Sequence, residues 1–586
     1  MEKRRLKAYR AGLAVLLSAV LCLGACGGKK ESSEAETTSS ESVGTTAETE
    51  TVPLETSSEM DKTGQYPLDA KTGEAVIRGE AFASAGPTED NARVFYEIFV
   101  GSFSDSDGDG VGDLRGVINR MDYLNDGDPD SGKSLGVEGI WLTPVFTSPT
   151  YHKYDVTDYY QIDPQFGTME DLQELIRICH ERNVKLILDL VINHTASNNQ
   201  WFLDFCKAHK NGDTADPYYD FYAWGTQARL AGRTFSRISG CEDYYECNFW
   251  GGMPELNYDN DAVREEMVKV AKYYLDLGID GFRFDAAKYI YFGEDARSAE
   301  FWDWYIAELK KIKPDIYTVG EVWDSDSITN LYYPALNCFN FTLAQSTGMY
   351  ADVTKLGNVN TLTAYTEKYL KTVQEMRGDA MLVPFLANHD TDRSAGYLTL
   401  ASGYAKVAAN LLILGPGSPF IYYGEEIGIK GSRGSANTDA DRRLAMVWGD
   451  GDTVKDPSEA TYNQKNQQSN GTVKDQIGNG DSLYNYYKKL IMIRNANPEI
   501  ARGEYSSLNL EGTNVGGFIA SYNGSLCMVL HNTTNKTVTV DLSEVGDGHF
   551  TKLAAVIGVT SLEDPAETGI SGTTLTIDPQ TSVVLR

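Results

Sequence analysis

Positive charge is scarce in this chain of 586 residues: 52 Lys and Arg stand against 83 Asp and Glu, a formal charge of −31. Binding to nucleic acid draws on clustered Lys and Arg to neutralise phosphates, so no polyanion partner is expected. A surplus of negative charge instead suits an exported protein kept dispersed by self-repulsion. Long apolar runs are also missing: beyond residue 25, no segment approaches the roughly 20 residues that cross a bilayer. Past Cys26 the cysteines are Cys179, Cys206, Cys241, Cys247, Cys338 and Cys527, and no spacing among them is of a metal-binding type. Only Cys241 and Cys247 are close in sequence, which leaves a disulfide or two free thiols open. There is no internal repeat and no sustained heptad pattern. Histidine occurs only seven times, so its positions carry information.

What is present begins with an address. Lys3, Arg4, Arg5, Lys7 and Arg10 precede an almost wholly apolar stretch over 11–25, so 1–25 reads as a signal peptide. It ends in Leu23-Gly24-Ala25-Cys26, which resembles the lipobox of bacterial lipoproteins. The resemblance implies cleavage before Cys26, acylation of its thiol, and a chain held on the extracellular face of a bacterial membrane. Residues 27–58 are Ser, Thr and Glu with almost no large apolar side chain and cannot bury enough surface to offset ordering. The whole segment 26–90 therefore reads as a disordered tether, spanning roughly 45 Å root-mean-square as a flexible coil.

The next four hundred residues alternate apolar strands with amphipathic helices. Strands are expected at 94–100, 137–142, 185–191, 279–284, 316–320, 336–341, 381–386 and 419–423, with helical runs such as 169–182, 262–277, 299–311 and 403–414. Eight strands mostly separated by helices predict an α/β fold, a (β/α)8 barrel over 91–193 and 259–500, with its chemistry at the strand C-terminal ends. A doubly wound open sheet is the alternative. The aromatic, Gly-rich stretch 194–258 reads as an inserted subdomain after the third strand. After a helix at 482–496 the alternation becomes that of short strands, and 501–586 reads as an antiparallel β-sandwich.

Several of these strands end in acids. In 281–288 (Gly-Phe-Arg-Phe-Asp-Ala-Ala-Lys), Arg283 and Asp285 share one face of a strand. An Asp beside Arg stays ionised at neutral pH, as a carboxylate nucleophile must; a structural ion pair is the plainer reading. Glu321 closes 317–321 with Trp323 nearby, apolar company that favours retention of a proton. Asp390 closes Phe385-Leu-Ala-Asn-His-Asp390, and Asp189-Leu-Val-Ile-Asn-His194 places Asp189 and Asn193 on one face of the third strand. Asp105, Asp107, Asp109 and Asp113 stand at ligand positions one, three, five and nine of a calcium loop, with the Val111 carbonyl at seven. Gly116 at position twelve excludes an EF-hand, and a bare acidic turn is the alternative.

In order and spacing, the four strand-end segments resemble the signatures of the α-amylase family of glycoside hydrolases (family 13), over roughly residue 92 to the C-terminus. The resemblance implies a retaining glycosidase in which Asp285 is the nucleophile, Glu321 the general acid/base and Asp390 a third carboxylate that binds sugar hydroxyls. It implies that Arg283, His194 and His389 line the subsite at the cleaved glucose. In Tyr151-His-Lys-Tyr-Asp155, His152 and Tyr154 resemble the pair that binds and stacks on that sugar, and Lys288 matches a residue beyond the nucleophile. A structural Ca2+ in the 105–113 loop is implied as well. Exo-acting α-glucosidases of the family carry an acid where Tyr151 stands, so an open cleft on starch, maltodextrins or related α-glucans is expected. Met253-Pro-Glu-Leu-Asn257 is intermediate between branches and leaves α-1,6 activity open. Exo-acting maltogenic, α-glucosidase or neopullulanase-type activity is the alternative, a non-catalytic glucan-binding homologue a remote one. A monomer is expected.

Overall fold

The computed structural model describes residues 75–79, 84–230, 232–434, 436–461, 470–510, 513–559 and 567–586. The leader, Cys26 and the tether up to residue 74 lie outside them.

Seven strands form one parallel sheet: β1 (Phe95–Ile98), β2 (Gly139–Leu142), β3 (Lys185–Leu190), β4 (Gly281–Phe284), β5 (Tyr317–Gly320), β6 (Asn337–Cys338) and β7 (Phe420–Tyr422). Their order is β6-β5-β4-β3-β2-β1-β7. The sheet closes through the segment 383–385, where Val383 bridges Phe339 beyond β6 and Phe385 bridges Phe420 of β7. The strand expected at 381–386 is thus a stave without a ladder. Pro384 sits at its centre and has no N–H to donate, although its carbonyl still accepts from Phe420 N at 2.9 Å. The ring is the eight-fold barrel foreseen from the alternation.

Both faces of the ring are covered, which is why its strands read as mostly apolar runs. Phe95, Trp141, Ile187, Tyr317, Phe339 and Phe420 fill the interior. On the outside Phe284, with Phe282 beside it, meets Trp302 and Tyr305 of the helix Asp295–Ile312. Gly281 marks a close approach of β4 to β5, since a Cβ there would lie 1.9 Å from Tyr317 O. Local signals place the surrounding helices. Thr168 and Asp171 form a reciprocal capping box on Met169–Glu181. Asn260 caps Asp261–Leu277, which ends at Gly278 in the left-handed region.

The insertion after β3 carries the helix Gln200–Asn211 and a four-stranded antiparallel sheet. Cys241 and Cys247 are free thiols. At the C-terminal end a six-stranded antiparallel sheet faces a three-stranded one, with Met528, Leu530, Val540, Leu575 and Val583 between them. Phe518, Val529 and Val584 project to the opposite side and join the barrel's helical layer.

One expectation is overturned. The tether does not run to residue 90: Ala75–Gly79 pairs antiparallel with Leu553–Val559 at the edge of the six-stranded sheet. Beyond it Thr88 is buried, and Asp90 forms an ion pair with Arg502 at 2.7 Å. Composition hid this, because a five-residue strand inside a polar stretch barely changes the local average. No helix among the described residues is long and apolar enough to cross a membrane.

Candidate active site

The carboxylates foreseen at the strand ends meet at the mouth of the barrel. Asp285 follows β4, Glu321 follows β5 and Asp390 follows the stave at 383–385. All three line one cavity of about 810 Å³, together with Tyr151, His152, Tyr154 and His194. Arg283 lies beneath as the hub. Its Nη1 donates to Asp189 Oδ1 and Oδ2 at 2.9 and 2.8 Å and to Asp285 Oδ1 at 2.8 Å. Its Nη2 is 2.8 Å from Glu321 Oε2. The register of the sheet makes this possible, since Arg283 sits directly beside Asp189 of β3.

The proton balance follows from burial. Burial pushes Glu321 up to about 7, against the pull of Arg283. It also raises Asp285, with Arg283 again opposing. Burial acts to raise Asp390 as well, but His389 and Arg443 outweigh it and hold that carboxyl well below the usual range. Burial alone would lower His389, yet Asp390 and Glu97 raise it to about 10. The imidazolium uses both nitrogens: Nδ1 meets Glu97 Oε1 at 2.6 Å, and Nε2 meets the Tyr154 hydroxyl at 2.6 Å and Asp390 Oδ2 at 3.1 Å. Tyr154 in turn donates to Asp189 Oδ2 at 3.0 Å. Five acids (Glu97, Asp189, Asp285, Glu321, Asp390) thus face three cations (Arg283, His389, Arg443), and one proton held among Asp189, Asp285 and Glu321, all three raised by burial, relieves half of the excess.

Backbone geometry tunes the same group. Ala286 adopts φ 47°, a left-handed conformation rare for a residue with a Cβ, and its N–H reaches Glu321 Oε2 at 3.1 Å. His152 and His194 are neutral, lowered by burial to about 3 and about 4. His152 Nδ1 accepts from Tyr154 N at 3.1 Å, and His194 Nε2 is 3.2 Å from Tyr154 O. Together they brace the loop that carries Tyr154.

Lys288 does not join this group. Its ammonium pairs with Asp324 at 2.6 Å and it is not among the residues lining the cavity. Phe249, Tyr289 and Trp323 do line it. Phe249 is 46% exposed, packed edge-on to Tyr289 at 5.3 Å, so it belongs to the wall of the site and not to the subdomain core. Trp250 is 55% exposed and outside the cavity.

Sequence reasoning passed over Arg443, Glu97 and the cavity-lining Asn437, Thr438, Asp439 and Glu459. Arg443 stands in the loop after β7, a position that barrel topology alone marks as part of the mouth. Glu97 was visible as the one charge in an otherwise apolar strand.

Apart from this site, Asp105, Asp107 and Asp109 bring one oxygen each to within 4.8 Å of one another, a fit for a hard cation. Asp113 stands outside that group of three and caps the helix Leu114–Asn119, accepting from Gly116 N at 2.6 Å and from Ser106 N and Oγ at 2.8 Å. Val111 lies between them, its N–H donating to Asp109 Oδ1 at 2.7 Å.

The model of the α-amylase catalytic domain matches residues 97–503. Alpha-amylase 3 of Dictyoglomus thermophilum is 38% identical over 444 residues, 75% of this chain and 84% of that one. An oligo-1,6-glucosidase of Bacillus cereus is 30% identical over 532 residues, 77% of this chain and 92% of its own. The solved structure of Eubacterium rectale Amy13B superposes with a TM-score of 0.79 at 33% identity, covering 87% of this chain and 99% of that one. Barrel, strand-end carboxylates and these relatives agree: the chain belongs to the α-amylase family and is a glycoside hydrolase.

Proposed function

We propose that the enzyme cleaves α-1,4-glucosidic bonds in starch, maltodextrins or related α-glucans with retention of configuration. The observation that carries this reading is the sharing of one guanidinium: Asp285 and Glu321 each lie 2.8 Å from Arg283. That arrangement favours the close separation of about 5 Å at which a carboxylate attacks carbon directly, instead of the wider gap that admits a water. In this mechanism Glu321 donates its proton to the glycosidic oxygen as Asp285 attacks C1, and the leaving chain departs as an alcohol. Glu321, now a carboxylate, takes a proton from water, which attacks C1 and releases Asp285. Asp390, held ionised, binds sugar hydroxyls and favours the distorted ring. His152, Tyr154 and His194 form the neutral wall against the same sugar, where an aromatic face packs on C–H groups for around 1 kcal/mol.

A structural Ca2+ would be held by Asp105, Asp107 and Asp109, with the Val111 carbonyl as a further oxygen. It would stiffen the loop after β1 and take no part in the chemistry. Acylated Cys26 would anchor the enzyme, as a monomer, to the outer face of the membrane.

The oligo-1,6-glucosidase among the relatives keeps α-1,6 cleavage open as a second reading. Timed product analysis on amylose, pullulan and isomaltose tests both, with the anomer of the first product read by NMR. A rapid fall in iodine staining with α-anomeric oligosaccharides is expected. A β-anomeric first product would overturn the retaining mechanism, and exclusive turnover of isomaltose would overturn the α-1,4 reading.

A further inference from the structure

Arg443 is buried in the wall of the cavity and uses each of its three nitrogens on a different partner. Nε donates to His389 O at 3.1 Å, Nη1 to the Tyr151 hydroxyl at 2.9 Å and Nη2 to Asp390 Oδ1 at 2.6 Å. Its guanidinium also lies 5.5 Å from the ring centre of Phe99 and 5.7 Å from that of Tyr151. Three segments far apart in the chain, the loop after β2, the stave end and the loop after β7, are thereby joined at one cation. The preceding residue repeats the grip, because Arg442 Nη1 donates to Asp390 O at 2.7 Å. Two successive carbonyls, those of His389 and Asp390, are held by two successive arginines.

We infer that Arg443 is a positioning residue for the glycosidase reaction, locking Asp390 in place and making the Tyr151 hydroxyl part of the same rigid wall. Both oxygens of Asp390 are pinned, Oδ1 by Arg443 and Oδ2 by His389, so the carboxylate cannot rotate about its own axis. A carboxylate presented in one fixed plane suits two neighbouring hydroxyls of a sugar ring. Only Arg has three donors diverging in one plane; a Lys ammonium at the same place could satisfy one partner well but not all three. The inference rests on Asp390 being the sugar-binding acid of the proposed mechanism.

The electrostatic consequence separates this role from a merely structural one. Besides Arg443, Asp390 is faced by the cations His389 and Arg283, by the acids Asp285 and Glu321, and by His152 and Tyr154. Removing Arg443 widens the existing excess of acids over cations and takes away one of the cations that hold Asp390 ionised, so Asp390 gains a proton at a higher pH than before.

The experiment compares Arg443→Ala, Arg443→Lys and Tyr151→Phe on a maltooligosaccharide, reading kcat and KM across pH with circular dichroism as the check on folding. Arg443→Ala is expected to lose at least a hundredfold in kcat/KM and to move its acid limb to higher pH. Guanidinium chloride at low millimolar concentration is expected to restore part of both, and ammonium chloride is not. Arg443→Lys should recover little, while Tyr151→Phe should raise KM a few-fold with the limb unmoved. A folded Arg443→Ala enzyme whose acid limb stays in place and ignores guanidinium would overturn the inference, whatever its kcat. Should that variant not fold, Arg443→Lys decides alone: an unshifted limb with full kcat overturns it. A wild-type enzyme inactive on every α-glucoside would instead remove the functional reading on which it stands.

Discussion

Two groups of acids, one at the barrel mouth and one in the loop after β1, are held in opposite ways. At the mouth Asp189, Asp285 and Glu321 are withdrawn from water and share Arg283, so their protons are set by competition between burial and one cation. In the loop, Asp105 takes the N–H groups of Asp107, Gly108 and Gly110 and the hydroxyl of Thr453. These hydrogen bonds outweigh its burial and hold it below the ordinary carboxylate value, while Asp107 and Asp109 are exposed. The first arrangement stores a transferable proton. The second keeps negative charge fixed on a backbone frame, ready for a hard cation. Residue type does not separate a catalytic acid from a cation ligand; what surrounds it does.

The sharpest way to test the mouth is to neutralise one acid at a time. Asp285→Asn should lower kcat by at least about 10⁴-fold, as loss of a nucleophile acting within a catalytic unit does. Glu321→Gln should cost roughly 10²–10⁴-fold, the range of a general acid. Both should fold, because Arg283 keeps two of its three carboxylate partners in either variant. Thermal melts together with steady-state rates check this, and normal turnover by Asp285→Asn would end the assignment.

The pH profile follows from the same burial. Glu321 is raised to about 7, so below that pH it holds the proton the leaving group needs, and as pH rises through 7 the proton is lost. The alkaline limb of kcat/KM is therefore expected near pH 7, and Glu321→Gln, whose residual activity has no such proton to lose, should show none. An identical alkaline limb in that variant would assign it to another group.

The loop predicts an effect on stability alone. Calcium at about a hundred times its Kd would add roughly 2.7 kcal/mol, so chelation should lower Tm by a few degrees and leave kcat at 25 °C nearly unchanged. Asp107→Asn combined with Asp109→Asn should abolish that response. A full chelator response in the double variant would move the ion elsewhere.

Much of this was legible in the chain. Short, mostly apolar runs separated by helical periods marked seven of the barrel's strands, because each is covered on both faces and admits a charge only where it serves the site. The stave at 383–385 was expected as an ordinary strand, and Pro384 is the physical reason that it is not one. Asp285, Glu321 and Asp390 were marked because each closes a strand, and His152, Tyr154 and His194 by the resemblance of their segments to the family; the fold gathers all six around one cavity. Arg443 escaped notice because it lies 21 residues beyond β7, in a polar loop with no pattern of its own, and only the fold brings it to Asp390. Asp113, expected at position nine of the loop after β1, caps the helix Leu114–Asn119 and stands outside the three acids that converge, a second duty that spacing alone does not reveal.

A third group of acids, this one a pair, sets the limit of the comparison. Glu425 and Glu426 follow β7, both buried, and what meets them is tyrosine: Tyr487 donates to Glu425 at 2.9 Å and Tyr96 to Glu426 at 2.7 Å. Burial pushes Glu425 up to about 8 and raises Glu426 too. The unfolded chain releases the Glu425 proton near the ordinary value of about 4.3, so between that pH and about 8 the folded state binds more protons than the unfolded one. Stability must then fall as pH rises through this window, and level off above it. Glu425→Gln keeps the shape and the neutral form at every pH. Its Tm is expected to match or slightly trail the native enzyme at pH 5 and to exceed it at pH 8, with the difference growing steadily between. Parallel Tm curves over that range would mean that Glu425 is ionised inside the fold, and burial would then not be the rule that distinguishes this pair from the one sharing Arg283.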